Sequence, residues 1–415
     1  MPMTVTEKIL ARVSGNSQVK PGDRVKITPD LAMWYNSVNT EHFFAPLERV
    51  GAKKVADPEK RIFFIDHHTP VKSVEYANVL NKVKKMHQDW GVRVVERMGI
   101  GHQVMGEMGA VRPGMYITHF DSAIVSMGCL GLLPLPTGEL LRYMVEGSGY
   151  VTVPATIKVV LNGELPKGVQ GRDVWLRILA EAGPSGGRGR ILEYMGPGYE
   201  GMDMDSRMGM MNTTTYCGAV SAIASPDQKA LDWVDAHPGE PYEAVYSDPD
   251  AHYDEEWRFD LSGMEPYVAI PPKPYDARPL REVLGTTIHQ AYLGSCASGR
   301  VEDLRLAAQV LKGQQKHPDV RVNVVPTSNL IMQEAAREGI VTTLVESGVF
   351  LSSPSCDYCF GNASPLGDGE VCVSTGTLNI TGRMGSTKAQ IYTVNAGVVA
   401  ASAIEGKIAD PRDYL

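Results

Sequence analysis

The chain has 415 residues, of which 43% are hydrophobic and 21% charged, and its formal net charge is −8. This length exceeds one ordinary hydrophobic core, so two or three domains of a soluble globular protein are expected. The acidic balance argues against nucleic acid as a partner, and because no apolar run approaches the roughly 20 residues that span a bilayer, no membrane segment is expected.

Strand-like and helix-like runs alternate in the first third of the chain. The segments "DRVKITPD", "RIFFIDHH" and "VRVVERMGIGHQV" are predicted to be strands that lead into loops, and "TEHFFAPLERVGA" and "SVEYANVLNKVKKMHQDWG" are predicted to be helices. This order predicts an α/β sheet. Functional loops are then expected at the strand ends, at 66–70, 102–107 and 121–128.

A further α/β unit is predicted in the C-terminal part. The proline-rich segment 255–280 lacks a helical period and is predicted to be an extended connector into this unit. Beyond it, Val301 to Lys312 is a predicted helix ended by Gly313, "RVNVVPTS" a predicted strand and "NLIMQEAAREG" a second predicted helix.

Three cysteines near the C-terminal end indicate a metal centre. Cys356 and Cys359 form a C-x-x-C, and Cys296 stands 60 residues before Cys356. Three thiolates are one fewer than the four that hold an ordinary four-iron cluster, so one metal ion is left free to bind water or substrate. Gly294 and Gly299 are expected to let the backbone approach this bulky centre. The alternatives are small core cysteines and a zinc ion bound by the C-x-x-C.

Six segments resemble motifs of the aconitase superfamily, in the same order. They are "DHHTP", "GIGHQVMGEMG", "DSAIVSMGCLG", "GSCASGRVEDLRLAAQVLKG", "SPSCDYCFG" and "STGTLNITGRMG". The resemblance runs from about Lys8 to Asp410 and is greatest to the large subunits of 3-isopropylmalate dehydratase and homoaconitase. It implies a three-domain aconitase-type α/β fold, with interleaved domains 1 and 2 in 1–277 and domain 3 in 278–415. It also implies a [4Fe-4S] cluster held by Cys296, Cys356 and Cys359.

The resemblance also implies which residues transfer protons and bind substrate. The expected catalytic residues all fall in matching segments, and they are Asp66, His67, His102, Asp121 and Ser122. Arg383 is expected to bind an anionic group of the substrate. His68 falls at a variable family position, and His119 is a weaker candidate that would offer an imidazole by a different route.

Three expected substrate-binding positions depart from the family pattern. Ala123 stands where the family has a histidine, Tyr216 where it has an acidic residue, and Leu378 where it has an arginine that pairs with a substrate carboxylate. Losing one such contact costs about 2–5 kcal/mol of binding to the old substrate. Each change makes the pocket less charged, which indicates a substrate with fewer carboxylates or a larger apolar part.

The resulting prediction is an iron-sulfur-dependent hydro-lyase or isomerase of the 3-isopropylmalate dehydratase type. Its substrate is expected to be a hydroxy-carboxylate or related small acid that differs from the standard substrates of the family. No segment matches the swivelling fourth domain of the family, so a small swivel-domain subunit is expected as a partner in trans. An iron-sulfur enzyme with heteroatom or sulfur chemistry, and a non-catalytic cluster sensor, are the alternatives.

The cysteine count and the N-terminal segment predict the redox state of the thiols and the location of the protein. Six cysteines are too few for a disulfide scaffold, and the N-terminal segment lacks a signal-peptide core, so reduced thiols and a cytoplasmic location are expected. Cys129 and Cys217 are either small core residues or additional residues of the site.

Overall fold

A computed structural model of the chain describes residues 1–36, 47, 49 and 51–415. The predicted helix "TEHFFAPLERVGA" lies largely outside the described residues. In the part that is described, no helix is both long and apolar enough to cross a membrane.

A five-stranded parallel sheet forms the N-terminal part of the molecule. In spatial order its strands are Arg93–Glu96, Arg61–Ile65, Leu31–Tyr35, Tyr116–His119 and Leu133–Pro136. Every residue of "LAMWY" and "RIFFI" is buried, as expected for strands covered on both faces of a parallel sheet. The helices of this part are Val5–Ser14, Val74–Asp89, Gly101–Glu107 and Leu140–Glu146.

A second, four-stranded sheet is also parallel throughout. Its strands, in spatial order, are Ser221–Ile223, Ile191–Met195, Thr156–Asn162 and Glu255–Asp260. Its helices are Gly171–Ala182, Pro197–Gly201, Met204–Asn212 and Gln228–Asp235. One apolar core takes residues from both sheets. The strands Arg24–Ile27 and Gly149–Thr152 pair in a separate two-stranded antiparallel sheet.

The C-terminal part is built on a seven-stranded sheet. In spatial order its strands are Ala277–Pro279, Tyr267–Ala269, Gln390–Thr393, Val371–Ser374, Gln290–Leu293, Arg321–Val324 and Phe350–Leu351. The first two strands run antiparallel to their neighbours, whereas the other five are parallel. The helices are Val301–Leu311, Asn329–Arg337, Ile340–Glu346 and Ala396–Glu405. These sheets confirm the predicted α/β class.

The prediction of a connector at 255–280 is wrong. The segment contributes an edge strand, Glu255–Asp260, to the second sheet and two short strands to the seven-stranded sheet. The prolines hid this pattern because all but the last, Pro279, fall between the strands. The seven-stranded sheet therefore includes residues on both sides of the 277/278 division, and that division stays a prediction.

The 3₁₀ helix Ser122–Leu130 connects two strands of the first sheet and is tightly packed at Gly128 against the strand Ser221–Ile223 of the second sheet. A Cβ added there would lie 2.1 Å from the carbonyl oxygen of Ala222. Gly128→Ala should therefore lower the free energy of unfolding by about 1–3 kcal/mol, the usual cost of overpacking, when measured by urea denaturation. Gly138→Ala is the matched control, because no atom lies within 4 Å of its added Cβ. Equal effects of the two substitutions would contradict this interpretation.

Candidate functional site

The twelve residues predicted to be catalytic, substrate-binding or metal-binding all line one cavity of about 140 Å³. They are Asp66, His67, His102, Asp121, Ser122, Ala123, Tyr216, Cys296, Cys356, Cys359, Leu378 and Arg383. Most of them follow the carboxyl ends of strands in the first and third sheets, where open α/β sheets place their ligands. Five lining residues were missed by the sequence analysis, namely Tyr35, Ile100, Asn212, Phe360 and Thr377.

Asp66 orients His67 and also caps a helix. One of its carboxylate oxygens lies 2.6 Å from Nδ1 of His67, and the other accepts a hydrogen bond of 2.7 Å from the N–H of Gly101. Burial acts to lower the pKa of His67, but the charge of Asp66 and the hydrogen bond to it raise this pKa above its ordinary value. Because Asp66 occupies Nδ1, Nε2 is the nitrogen of His67 that remains for a ligand; it has no hydrogen-bond partner among the described residues.

Asn36 fixes the backbone of this Asp-His pair. Its side-chain oxygen accepts hydrogen bonds from the N–H groups of Asp66, at 2.9 Å, and His67, at 3.1 Å. Its amide nitrogen donates to the carbonyl of His67 at 2.7 Å. The ring of Tyr35 stacks on His67 with ring centroids 4.5 Å apart. Both residues come from the buried strand "LAMWY" and the residue after it, where no motif marks them.

Asp357 joins this loop to the cysteine loop. Its two carboxylate oxygens accept hydrogen bonds of 2.8 Å from the N–H groups of His68 and Thr69. In addition, the N–H of Cys356 donates to the carbonyl of Asp66 at 3.0 Å. His68 therefore stands at a structural junction, with a φ of 52°.

The three predicted metal-binding cysteines lie in one buried cluster and form no disulfide. The sulfur atoms of Cys356 and Cys359 are 3.0 Å apart. Burial, with the charges of Asp121 and Cys359, raises the pKa of Cys296 to about 12. The pKa of Cys359 is lowered by its hydrogen bond with Cys356 and by the guanidinium of Arg383. Such a set of thiols suits a metal group, since a metal deprotonates the thiols it binds.

The glycines beside Cys296 have a different role from the expected one. A Cβ added to Gly294 would lie 2.9 Å from the carbonyl oxygen of Val325, and one added to Gly299 would lie 2.6 Å from the same atom. Gly299 also has a φ of 86°, which L side chains rarely adopt. Close packing against the end of a neighbouring strand therefore requires these glycines.

The sequence predicted a loop at the end of a strand for His102, but this residue lies on the helix Gly101–Glu107. Burial lowers its pKa, so the imidazole is neutral at neutral pH. Asp121 caps the 3₁₀ helix Ser122–Leu130 and accepts hydrogen bonds from the N–H of Ala123, at 2.9 Å, and the hydroxyl of Tyr35, at 2.6 Å. Burial acts to raise the pKa of Asp121, but the two neighbouring histidines and these hydrogen bonds lower it to about 2.

After the three departures from the family pattern, Arg383 is the one lysine or arginine among the described residues that line the cavity. Its guanidinium lies 3.6 Å from the ring centre of Phe360, and its Nη2 atom is 3.8 Å from the sulfur of Cys359. The hydroxyl of Tyr216 donates to the carbonyl of Thr377 at 3.1 Å, so this side chain is tied to the Leu378 loop.

Cys129 and Cys217 are core residues. Both are buried in the apolar core that the first two sheets share, and neither lines the cavity. Their thiols donate to the carbonyls of Ser126 and Thr214, each at 3.2 Å. A role in the site is therefore not supported for either cysteine.

Comparison with known proteins identifies the family. The family model described as "Aconitase family (aconitate hydratase)" matches residues 7–287 and 281–406. The chain belongs to the aconitase family. This membership confirms the predicted fold and the prediction of a hydro-lyase, and it does not favour the sensor or the heteroatom alternative. It also implies an iron-sulfur cluster, whereas the roles of individual residues stay predictions.

Three curated relatives have similar length and are large subunits. The chain is 37% identical to 3-isopropylmalate dehydratase large subunit 1 of Methanopyrus kandleri over the whole of both chains. It is 36% identical to 3-isopropylmalate dehydratase large subunit of Sulfurihydrogenibium sp., over 99% of this chain and 96% of the relative. It is also 36% identical to the probable methanogen homoaconitase large subunit of Methanothermobacter thermautotrophicus, over 99% and 98% of the two chains.

Asp357→Ala should separate the two loops that Asp357 joins. The substitution removes two hydrogen bonds from backbone N–H groups to a buried carboxylate, so it should lower the free energy of unfolding by about 2 kcal/mol in urea denaturation. Asp368→Ala is the matched control in the same domain, because Asp368 is exposed and contacts only Ser386 and Lys388. If both variants unfold like the original chain, Asp357 does not anchor the cysteine loop.

Proposed function

We propose that this chain is the cluster-bearing large subunit of a hydro-lyase. Its substrate is a small hydroxy acid, of which the large subunit binds a single carboxylate. The observation that supports this most strongly is the convergence of an Asp-His pair, a neutral imidazole, one arginine and three cysteines on a single cavity. A small swivel-domain subunit is proposed as the partner, because the relatives are named large subunits.

Cys296, Cys356 and Cys359 are proposed to hold a [4Fe-4S] cluster. The donor set fits this group, because three buried, unpaired thiols from two loops leave one iron without a protein thiolate. When bound, the cluster supplies a Lewis acid for the substrate hydroxyl. The guanidinium of Arg383 beside Cys359 offsets part of the negative charge that three thiolates bring into a buried site.

His67 is proposed to give a proton to the leaving hydroxyl group. Its pKa is raised above the ordinary histidine value by Asp66, which favours the protonated ring, and Asp66 leaves Nε2 as the donating atom. His102, whose pKa is lowered by burial, is the neutral one of the two imidazoles His67 and His102. Two groups whose pKa values are shifted in opposite directions are suited to opposite roles in proton transfer.

The substrate is proposed to carry fewer carboxylates, or a larger apolar group, than citrate or 3-isopropylmalate. Arg383 can bind one carboxylate, since its Nε atom has no hydrogen-bond partner in the described part of the chain. Leu378, Ile100 and Phe360 supply an apolar part of the wall, and Leu378 stands where the family has its carboxylate-binding arginine. This part of the wall favours an alkyl group and offers no charge to a second carboxylate.

The proposed function is tested by turnover of a panel of acids. The chain is produced anaerobically with its small subunit and assayed with 2- and 3-hydroxy acids that carry one, two or three carboxylates, by the ultraviolet absorption of the unsaturated product. Turnover of a hydroxy acid with one carboxylate, or with an alkyl group larger than that of 3-isopropylmalate, above all others is the expected result. Preference for citrate or 3-isopropylmalate contradicts the proposed substrate class, and no turnover of any acid contradicts the reaction.

Cys296→Ser should lose the cluster, because two thiolates of one C-x-x-C cannot hold four irons. Iron and sulfide analysis of anaerobically purified protein should give near-zero contents, against about four of each in the original chain. Cys372→Ala is the matched control, since Cys372 is a buried cysteine of the same sheet that does not line the cavity. Full iron content in Cys296→Ser, or zinc in place of iron, would overturn the assignment.

Leu378→Arg should extend the substrate range toward dicarboxylates. The new guanidinium would provide the second carboxylate contact, so kcat/KM for 3-isopropylmalate or citrate should rise at least about tenfold, which corresponds to 1.4 kcal/mol. Leu378→Met preserves the size and apolar character of the side chain and should change neither value. A rise of the same size in Leu378→Met would mean that space, and not charge, limits these substrates.

A further inference from the structure

His119 lies directly behind the cavity without lining it. It is the last residue of the strand Tyr116–His119, and its side chain is completely buried. Its ring packs against those of Tyr35, Phe120 and His102, with centroid distances of 5.0, 4.3 and 5.2 Å. A substrate in the cavity would therefore contact His102, whereas His119 contacts His102 from outside the cavity.

The two imidazoles share an unusual deficiency of hydrogen bonds. All four ring nitrogens of His102 and His119 are buried. Those of His102 have no hydrogen-bond partner among the described residues, and those of His119 have none beyond a loose one to the backbone of Met33. Buried polar groups in native proteins nearly always have such a partner. One nitrogen of each ring and one carboxylate oxygen of Asp121 lie within 4.8 Å of one another. A single water molecule between these three atoms would have the two to four polar partners that a buried water needs.

Burial keeps His119 neutral. It lowers the pKa of His119 to about 3, and His102 acts in the same direction, whereas Asp121, Asp66 and a hydrogen bond to the backbone of Met33 act against it. The groups that face His102 are Asp121, Asp66, His67 and Arg300. A neutral imidazole offers one N–H donor and one acceptor, so it can impose a defined hydrogen-bond direction on its neighbour.

We propose that His119 is a positioning residue that, together with Asp121 and through one bridging water, fixes the tautomer and the ring orientation of His102. The nitrogen of an imidazole that carries the proton is set by the hydrogen bond that the other nitrogen makes. His102 receives no such bond from any described side chain directly, and the wall residue Ala123 supplies only a methyl group. His119 supplies the missing control from within the sheet.

The consequence for catalysis rests on the proposed function, but the consequence for the tautomer does not. With His119 in place, His102 presents one defined nitrogen to the cavity. Without the nitrogens of His119, both tautomers of His102 become populated, and only part of the enzyme is correctly protonated at any moment. This lowers kcat and leaves substrate binding by Arg383 unchanged.

The test compares two substitutions that separate the ring from its nitrogens. His119→Phe retains the ring packing against Tyr35 and Phe120, whereas His119→Gln retains a polar donor and acceptor. Histidine side-chain ¹⁵N NMR of the complete chain should show one His102 tautomer in the original protein and in His119→Gln, and a mixture in His119→Phe. With the substrate found by the acid panel, kcat of His119→Phe should fall about tenfold, less than the 10²–10⁴-fold contributed by general acid–base catalysis, with KM within twofold.

The control is His87→Gln. His87 is also a buried histidine, but its Nε2 accepts from the indole of Trp34 at 2.8 Å and its Nδ1 lies 2.7 Å from the carbonyl of Val83. Its replacement should leave the His102 signals unchanged. Unchanged His102 signals in His119→Phe would overturn the proposal, even if no acid is turned over. If His119→Phe does not fold, His119→Leu, which likewise has no donor or acceptor, replaces it, and a His102 spectrum identical to that of the original chain overturns the proposal.

A bound divalent ion is the remaining outcome that would overturn it. Two imidazoles and one carboxylate are also a ligand set for first-row metal ions. Dialysis of Cys296→Ser protein against Mn²⁺ or Co²⁺, followed by metal analysis, should find no ion that depends on His119. One tightly bound ion per chain, lost in His119→Phe, would replace the bridging water by a metal site.

Discussion

The hydrogen bonds of two carboxylates, Asp66 and Asp357, connect the separate segments that form the cavity. Asp66 orients His67 and at the same time caps the helix that carries His102. Asp357 binds the two backbone N–H groups that follow His67 and thereby attaches the cysteine loop of the third sheet to a loop of the first sheet. These hydrogen bonds set the positions of His67, of the helix that carries His102 and of the cysteine loop relative to one another. Bonds to buried charged groups are strong and directional, so these segments are held in place without a ligand.

Charged groups in a buried cavity are tolerated only when each is compensated. Asp66 is paired with His67 and a helix N–H, and Asp121 with Tyr35 and the N–H of Ala123. Arg383 differs, because it has a ring face and a sulfur atom as neighbours, and its Nε atom lacks a partner among the described residues. An incompletely compensated cation in an otherwise compensated cavity is suited to an anion from outside. The same uneven distribution supports a substrate that presents one carboxylate to this subunit.

The sequence predicted those features that short contiguous segments encode. The alternation of strands and helices gave the α/β class, and motif matching found twelve residues that line the cavity. Tyr35 and Asn36 could not be found this way, because they end an apolar strand and act on residues at least thirty positions away. Asp357 lay within a recognised motif, but its partners His68 and Thr69 are nearly 290 residues distant in sequence. The strands in 255–280 were missed because their pairing is long-range and prolines separate them.

The hydrogen bond from Tyr216 to the carbonyl of Thr377 makes two of the three divergent positions neighbours, since Leu378 is the next residue after Thr377. An acidic residue at 216 would remove the donor and place a second negative charge near Asp121, while position 378 still lacked an arginine to neutralise it. Substitutions at 216 and 378 are therefore expected to be non-additive, as is usual for residues that share a contact. Any redesign of this pocket has to change the two positions together.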